Sequence, residues 1–173
     1  MNFNPTDKIF LIGMMGSGKS YWGKKLSEII HLDFIDLDEV LVKEEGRDIN
    51  KIFQESGEQY FRDQETKILN RFILEKKGFI MATGGGVPCF NNNISNMNNH
   101  GITIWLNESP EVIFRRLLPE KVHRPLIKEL NNEELHDFIL LKLAERKAYY
   151  RKAKYIIKST DIADTFNNNL ISL

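Results

Sequence analysis

Eight consecutive residues, Gly13-Met14-Met15-Gly16-Ser17-Gly18-Lys19-Ser20, satisfy the pattern G-x-x-x-x-G-K-[ST] in full. Such a turn curls backbone N–H groups around a phosphate, and a helix opening at its end adds partial positive charge. Lys19 would bridge the outer phosphates of a nucleotide, and the Ser20 hydroxyl would ligate Mg²⁺. Two carboxylates, Asp36 and Asp38, follow a short apolar run. At that spacing one can serve a metal, directly or through water, while the other faces an acceptor hydroxyl. The alternative for the pair is capping of the next helix. Gly84-Gly85-Gly86 marks a place where the backbone approaches a neighbour closely, because three glycines in a row cost chain entropy. A ligand ring lying on that backbone is one reading, a tight turn the other.

Arginines complete the set, although spacing alone does not separate them from surface residues. Arg62 lies three residues before Glu65, where the two can pair. Arg124 stands in a segment with little periodicity, where a cation could fold over a nucleotide as part of a lid. Arg146 offers a fork suited to a planar carboxylate. Arg115 and Arg116 could brace phosphate or adenine but read as a solvated face.

The elements that must position these groups alternate along the chain. Lys8–Ile12, Leu32–Ile35, Gly78–Ala82, Ile102–Leu106 and Tyr155–Ile157 are short apolar runs of strand length. Trp22, Leu26, Ile29 and Ile30 recur at helical spacing. A charged helical stretch runs from Glu39 to about Lys77, broken at Gly46 and Gly57. Ser109-Pro110-Glu111 starts a helix with proline at its first position. Asn132 to Lys152 forms a long helix with Leu135, Phe138, Ile139 and Leu143 on one face, and Asp161 opens a final one. The Asn-rich stretch 91–99 reads as a solvated connection with one helical turn, and Leu118–Asn131 as a mobile loop. Buried strands alternating with helices predict a three-layer α/β/α fold with a five-stranded parallel sheet.

Composition narrows the class. The chain has 173 residues, enough for one core, with 42% hydrophobic and 28% charged residues. Lys plus Arg and Asp plus Glu are balanced at 24 each, which argues against a nucleic-acid partner. Cys89 is the single cysteine, which suits a reducing compartment. His31, His100, His123 and His136 are scattered without metal-ligand spacing. No apolar run reaches the roughly 18 residues of a membrane span, and the N-terminus does not read as a signal peptide. A cytoplasmic location is expected.

Taken in order, Gly13–Ser20, Phe-Ile-Asp-Leu-Asp at 34–38, Phe-Arg-Asp-Gln-Glu at 61–65, Gly84–Gly86, Arg-Pro-Leu at 124–126 and Arg-Lys-Ala-Tyr-Tyr at 146–150 resemble the shikimate kinase family. The likeness covers nearly the whole chain. It implies a nucleoside-monophosphate-kinase-like phosphate-loop fold in a single domain 1–173, with a substrate-binding region at about 37–66 and a lid at about 117–131. It also implies phosphorylation of the 3-hydroxyl of shikimate by ATP with Mg²⁺, a step toward chorismate and the aromatic amino acids, by a monomer. Carried over by position, Gly16, Ser17, Gly18, Lys19, Ser20, Tyr21 and Arg124 would contact ATP, and Ser20 and Asp36 would hold the metal. Asp38, Arg62, Gly84, Gly85, Gly86 and Arg146 would bind shikimate, with Lys19, Asp38 and Arg124 catalytic. Two positions depart from the pattern. Ala163 stands where an adenine-side basic residue is expected, and Tyr21 follows Ser20 where Ser or Thr is commoner. The alternatives are a gluconate or nucleotide kinase of the same fold, or an inactive nucleotide-binding module.

Overall fold

Strand β1 (Lys8–Ile12) is buried on both faces and lies at the centre of the molecule. A computed structural model of the chain describes residues 4–124, 126–158 and 161. The remaining strands are β2 (Phe34–Asp36), β3 (Phe79–Ala82), β4 (Ile102–Asn107) and β5 (Tyr155–Lys158). All pairings are parallel and the order is β2-β3-β1-β4-β5. Lys8 aligns with Phe79 on one side of β1, and Ile9 with Ile102 on the other. The connections therefore diverge from β1, and the cleft at its carboxyl end is where open α/β sheets bind ligands.

Side-chain alternation along β1 divides the core. Phe10 and Ile12 join Met81, Phe79 and Trp105 on one face, covered by helices α2 (Leu37–Glu45), α3 (Ile49–Glu75) and α4 (Asn93–His100). Ile9 and Leu11 join Ile80, Ile104 and Leu106 on the other, covered by α1 (Lys19–Ile30) through Leu26. A third cluster binds α5 (Pro110–Leu117) to α6 (Asn132–Tyr150) through Ile113, Leu117, Leu135 and Ile139, with Met14 of the glycine-rich loop among them. The layers are those expected of the five apolar runs. The break predicted at Gly57 is a kink inside α3, at φ 80°, and Ser109 caps α5 with Pro110 at its first position.

Two stretches are more ordered than expected. The Asn-rich segment forms α4, because Ile94 and Met97 are three apart and both reach the core. Buried Asn93 donates its side-chain amide to the Val87 carbonyl at 3.1 Å and to Thr66 Oγ1 at 3.0 Å, which satisfies a polar group inside the fold. Segment 118–131 contains a 3-10 turn at Lys121–His123 and anchors itself through fully buried Ile127. The helix expected to open at Asp161 lies outside the described residues, as does Ala163.

Candidate active site

The glycine-rich loop joins β1 to α1 as expected. Gly16 and Gly18 take φ 78° and 91°, backbone that other residues rarely adopt, and Ser17 N–H bonds the Met14 carbonyl at 3.1 Å. Lys19 is almost fully buried and donates from Nζ to the carbonyls of Gly13 and Met14 at 2.9 and 3.0 Å. Burial pushes its pKa down to about 8, a shift moderated by Asp38 and Asp36.

Asp36 closes β2 and meets both readings of the carboxylate pair. Its Oδ1 accepts from the N–H of Asp38 and Glu39 at 3.1 and 3.4 Å, capping α2. Its Oδ2 accepts from the Ser20 hydroxyl at 2.6 Å. A hydroxyl and a carboxylate oxygen side by side at the mouth of the loop are the hard donors that Mg²⁺ takes, with phosphate and water completing its shell.

Asp38, the second residue of α2, has a different environment. Its Oδ1 is buried and finds no hydrogen-bond partner among the described residues. Burial, then the neighbouring Asp36 charge, raise its pKa, while Lys19, Arg62 and Arg124 oppose the shift.

The triple glycine follows β3, and its role is spatial rather than torsional: none of the three takes a positive φ. A Cβ on Gly84 would stand 2.4 Å from Glu65 Oε1 and 2.9 Å from Asp38 Oδ1. On Gly85 it would approach Arg146 Nη1 to 3.1 Å, and on Gly86 Arg62 Nη1 to 2.6 Å. Gly84 thus seats two carboxylates, and Gly85 and Gly86 one guanidinium each.

Those charged groups form a network. Arg62 is buried and gives Nη1 to Glu65 Oε2 at 2.7 Å and Nη2 to Glu58 Oε1 at 2.9 Å, with its guanidinium 4.6 Å from the Phe90 ring centre. It uses three N–H groups on these partners and retains two. Desolvation pushes buried Glu65 up to about 7, with Arg62 pulling the other way. Arg146, on the face of α6 toward the site, lies 3.7 Å from Met14 Sδ. Arg124 pairs with Glu120 through Nε and Nη2 at 3.0 and 2.5 Å.

Two cavities result. One, of about 560 Å³, is lined by the glycine-rich loop, Tyr21, Trp22, Asp36 and Arg116. The other, of about 310 Å³, is lined by Arg62, Glu65, Gly84–Gly86 and Arg146 opposite the apolar Ile49, Phe53, Phe61 and Leu126. They meet at Met15, Asp38, Gly85 and Arg124, which line both. Every site residue expected from the sequence lines one cavity or the other except Ser17, which is buried inside the loop. The sequence reading missed three participants. Glu65 was visible as a partner for Arg62 but not as a wall of the cavity, and Met15 gave no signal beyond lying in the loop. Arg116, read as solvated, donates to the Gly16 carbonyl at 3.2 Å and pairs with buried Glu108 at 3.1 Å.

A phosphate loop on a five-stranded parallel sheet, opening toward a small cavity in which the guanidinium groups of Arg62, Arg124 and Arg146 face apolar side chains, defines a phosphate-loop phosphotransferase acting on a small anionic acceptor. Residues 15–171 match the family model described as shikimate kinase, and the chain belongs to the shikimate kinase family. It is 41% identical over 157 residues to the shikimate kinase of Phocaeicola vulgatus, covering 91% of this chain and 89% of that one. The crystal structure of shikimate kinase from Bacteroides thetaiotaomicron superimposes with a TM-score of 0.88 at 34% identity, over 96% of this chain and 99% of that one. Shikimate kinase from Acinetobacter baumannii in complex with shikimate gives 0.83 at 31% identity, over 95% and 90%.

Proposed function

We infer that the chain transfers the γ-phosphoryl group of ATP to the 3-hydroxyl of shikimate and that its two cavities divide the task. The larger receives the nucleotide and the smaller the acceptor. The observation that carries this reading is Asp38 Oδ1, a buried carboxylate oxygen with no hydrogen-bond partner among the described residues, where the cavities meet. An acceptor hydroxyl in the smaller cavity would satisfy it while facing the phosphate loop.

Arg62 and Arg146 hold the acceptor's carboxylate. Each is a cation half-buried or better, where charge-assisted hydrogen bonds are worth about 1.5–3 kcal/mol. Gly84–Gly86 form the surface beneath the ring. Asp38 orients the hydroxyl and takes its proton late, since an ordinary carboxylate pKa of about 3.9 is too low to ionise an alcohol beforehand. The rise in its pKa moves it in the useful direction. Transfer through a loose transition state depends on alignment and on neutralised charge. Gly16, Ser17, Gly18 and Tyr21 belong to the nucleotide side, and Lys19 and Arg124 neutralise the transferring group. Ser20 and Asp36 would hold Mg²⁺, which when bound screens the outer phosphates. Segment 117–131 serves as the lid: Arg124 and Leu126 both reach the acceptor cavity, so its closure excludes water. Region 37–66, carrying Asp38 and Arg62, is the substrate-binding region of one domain.

The family resemblance supports a monomer. The charge balance argues against a nucleic-acid partner, and the single cysteine suits a cytoplasmic enzyme. Among the described residues no helix is long and apolar enough to cross a membrane.

The test is ADP release from ATP and Mg²⁺ with shikimate, gluconate, nucleoside monophosphates or no acceptor. Turnover with shikimate alone, at about 1–100 s⁻¹ as is usual for kinases, is expected. Turnover with a different acceptor, or with none, would overturn the assignment.

A further inference from the structure

Tyr150 ends α6, is fully buried, and takes no part in lining either cavity. Its hydroxyl donates to the Gly85 carbonyl at 2.6 Å, across 65 residues of sequence. We propose that Tyr150 is a positioning residue for the acceptor, holding the Gly85 carbonyl turned into the core so that the glycine turn presents no acceptor oxygen to a bound anion. This rests on the assignment of the smaller cavity to shikimate.

The three carbonyls of the turn are committed separately. Gly84 and Gly86 accept from the N–H groups of Val87 and Cys89 at 3.1 and 2.8 Å, within the 3-10 turn Val87–Cys89 that follows. Gly85 has no such local donor and is also the most accessible of the three. A peptide free to rotate there would swing a partly negative oxygen into a cavity whose three guanidinium groups select for negative charge. The tyrosine hydroxyl prevents this. It stays a donor throughout the working pH range, since burial raises its pKa well above the ordinary tyrosine value. The Trp105 ring, centred 5.6 Å away, holds the phenol in place.

Geometry links this bond to the cation above the turn. Arg146 and Tyr150 are four residues apart and so share a face of α6. One helix face therefore sets both the guanidinium beside Gly85 and the backbone beneath it. A shift of the turn would change the seat of Arg146, whose Nη1 already lies within 3.1 Å of the position a Gly85 Cβ would occupy.

The experiment compares wild type with Tyr150→Phe in steady-state kinetics, varying shikimate and ATP separately well below the unfolding temperature. Loss of the hydroxyl, with its bond to Gly85 and its contact with the Arg146 guanidinium, predicts a rise in the shikimate KM of about fivefold or more, with the ATP KM within twofold of wild type. Unchanged KM values, or equal rises in both, would overturn the proposal and leave Tyr150 a packing residue. A wild-type enzyme indifferent to shikimate would overturn the cavity assignment itself and the proposal with it. Should Tyr150→Phe not fold, ¹³C-labelled tyrosine in the wild-type enzyme provides the second readout. The Tyr150 resonance is expected to move on adding shikimate but not on adding Mg-ATP, and a resonance indifferent to shikimate would refute the proposal.

Discussion

Replacing Glu65 with glutamine is expected to stabilise the ligand-free protein, and increasingly so as pH rises. Glu65 is 1% exposed, and desolvation lifts its pKa from the ordinary 4.5 to about 7 despite the opposing pull of Arg62. Between those values the folded chain holds a proton that the unfolded chain has released. Stability therefore falls as pH rises through that window. A displacement of about 2.5 pH units, at 1.36 kcal/mol per unit, amounts to about 3 kcal/mol lost between pH 4.5 and 7. Glutamine has the shape of the protonated acid and no proton to lose, so Glu65→Gln escapes this loss. For a chain of this length the difference corresponds to a Tm about 6–12 °C above wild type at pH 8, shrinking toward zero near pH 4.5. Thermal unfolding followed by circular dichroism at pH 5, 6, 7 and 8, without ligands, measures it. A Tm difference constant with pH would refute the reasoning, as would a variant that loses ground to wild type as pH rises. Either result would mean that the Arg62 pairing outweighs burial.

Arg146→Ala should raise the shikimate KM tenfold or more, from the loss of at least one charge-assisted bond, while the ATP KM stays within twofold in steady-state assays. Asp38→Asn should lower kcat by about 10²–10⁴-fold; a near-normal kcat would remove Asp38 from proton transfer. Asp36→Ala should lose about 1 kcal/mol with its helix cap and raise the Mg²⁺ concentration giving half-maximal rate. Asp36→Asn, which can still cap, should show the second effect without most of the first in paired melting and Mg²⁺ titrations. The ATP KM should climb above about pH 8, where ligand-free Lys19 gives up its proton, by up to tenfold per pH unit in a pH series at saturating shikimate.

Much of this site was legible before the structure because its parts are local. The phosphate loop is contiguous, and β1, β3 and β4 are short runs buried on both faces, whose apolar continuity survives without knowledge of their neighbours. Asp36 and Asp38 were also readable as a pair, since strand end and helix start fall within three residues. The arginines were not readable from spacing. Arg62 and Arg146 stand 84 residues apart in sequence, on α3 and α6, and only the meeting of those helices over the glycine turn distinguishes them from solvated cations. The same holds for Arg116, whose partner Glu108 is buried by the arrangement of β4 and the loop. Helix α4 is longer than the single turn expected for a different reason: its four asparagines suggest a connection, yet two apolar residues at helical spacing outweigh them once a sheet face is present to receive them.

The central place of β1 has a consequence for how the enzyme is made. The first strand to be synthesised pairs with nothing nearby, since its partners are Phe79–Ala82 and Ile102–Trp105. At about 5–20 residues per second, a ribosome needs roughly 5–20 s to supply the second of these. Until Ala82 is made, a continuous apolar run and the phosphate loop attached to it have neither final neighbour, and until Trp105 is made they have only one. The nucleotide cavity opens with the phosphate loop at 13–20 but is not complete until Arg124 has been made, so a nascent chain cannot form the whole of it before then. Its protection during translation falls to chaperones or to the helices that form meanwhile.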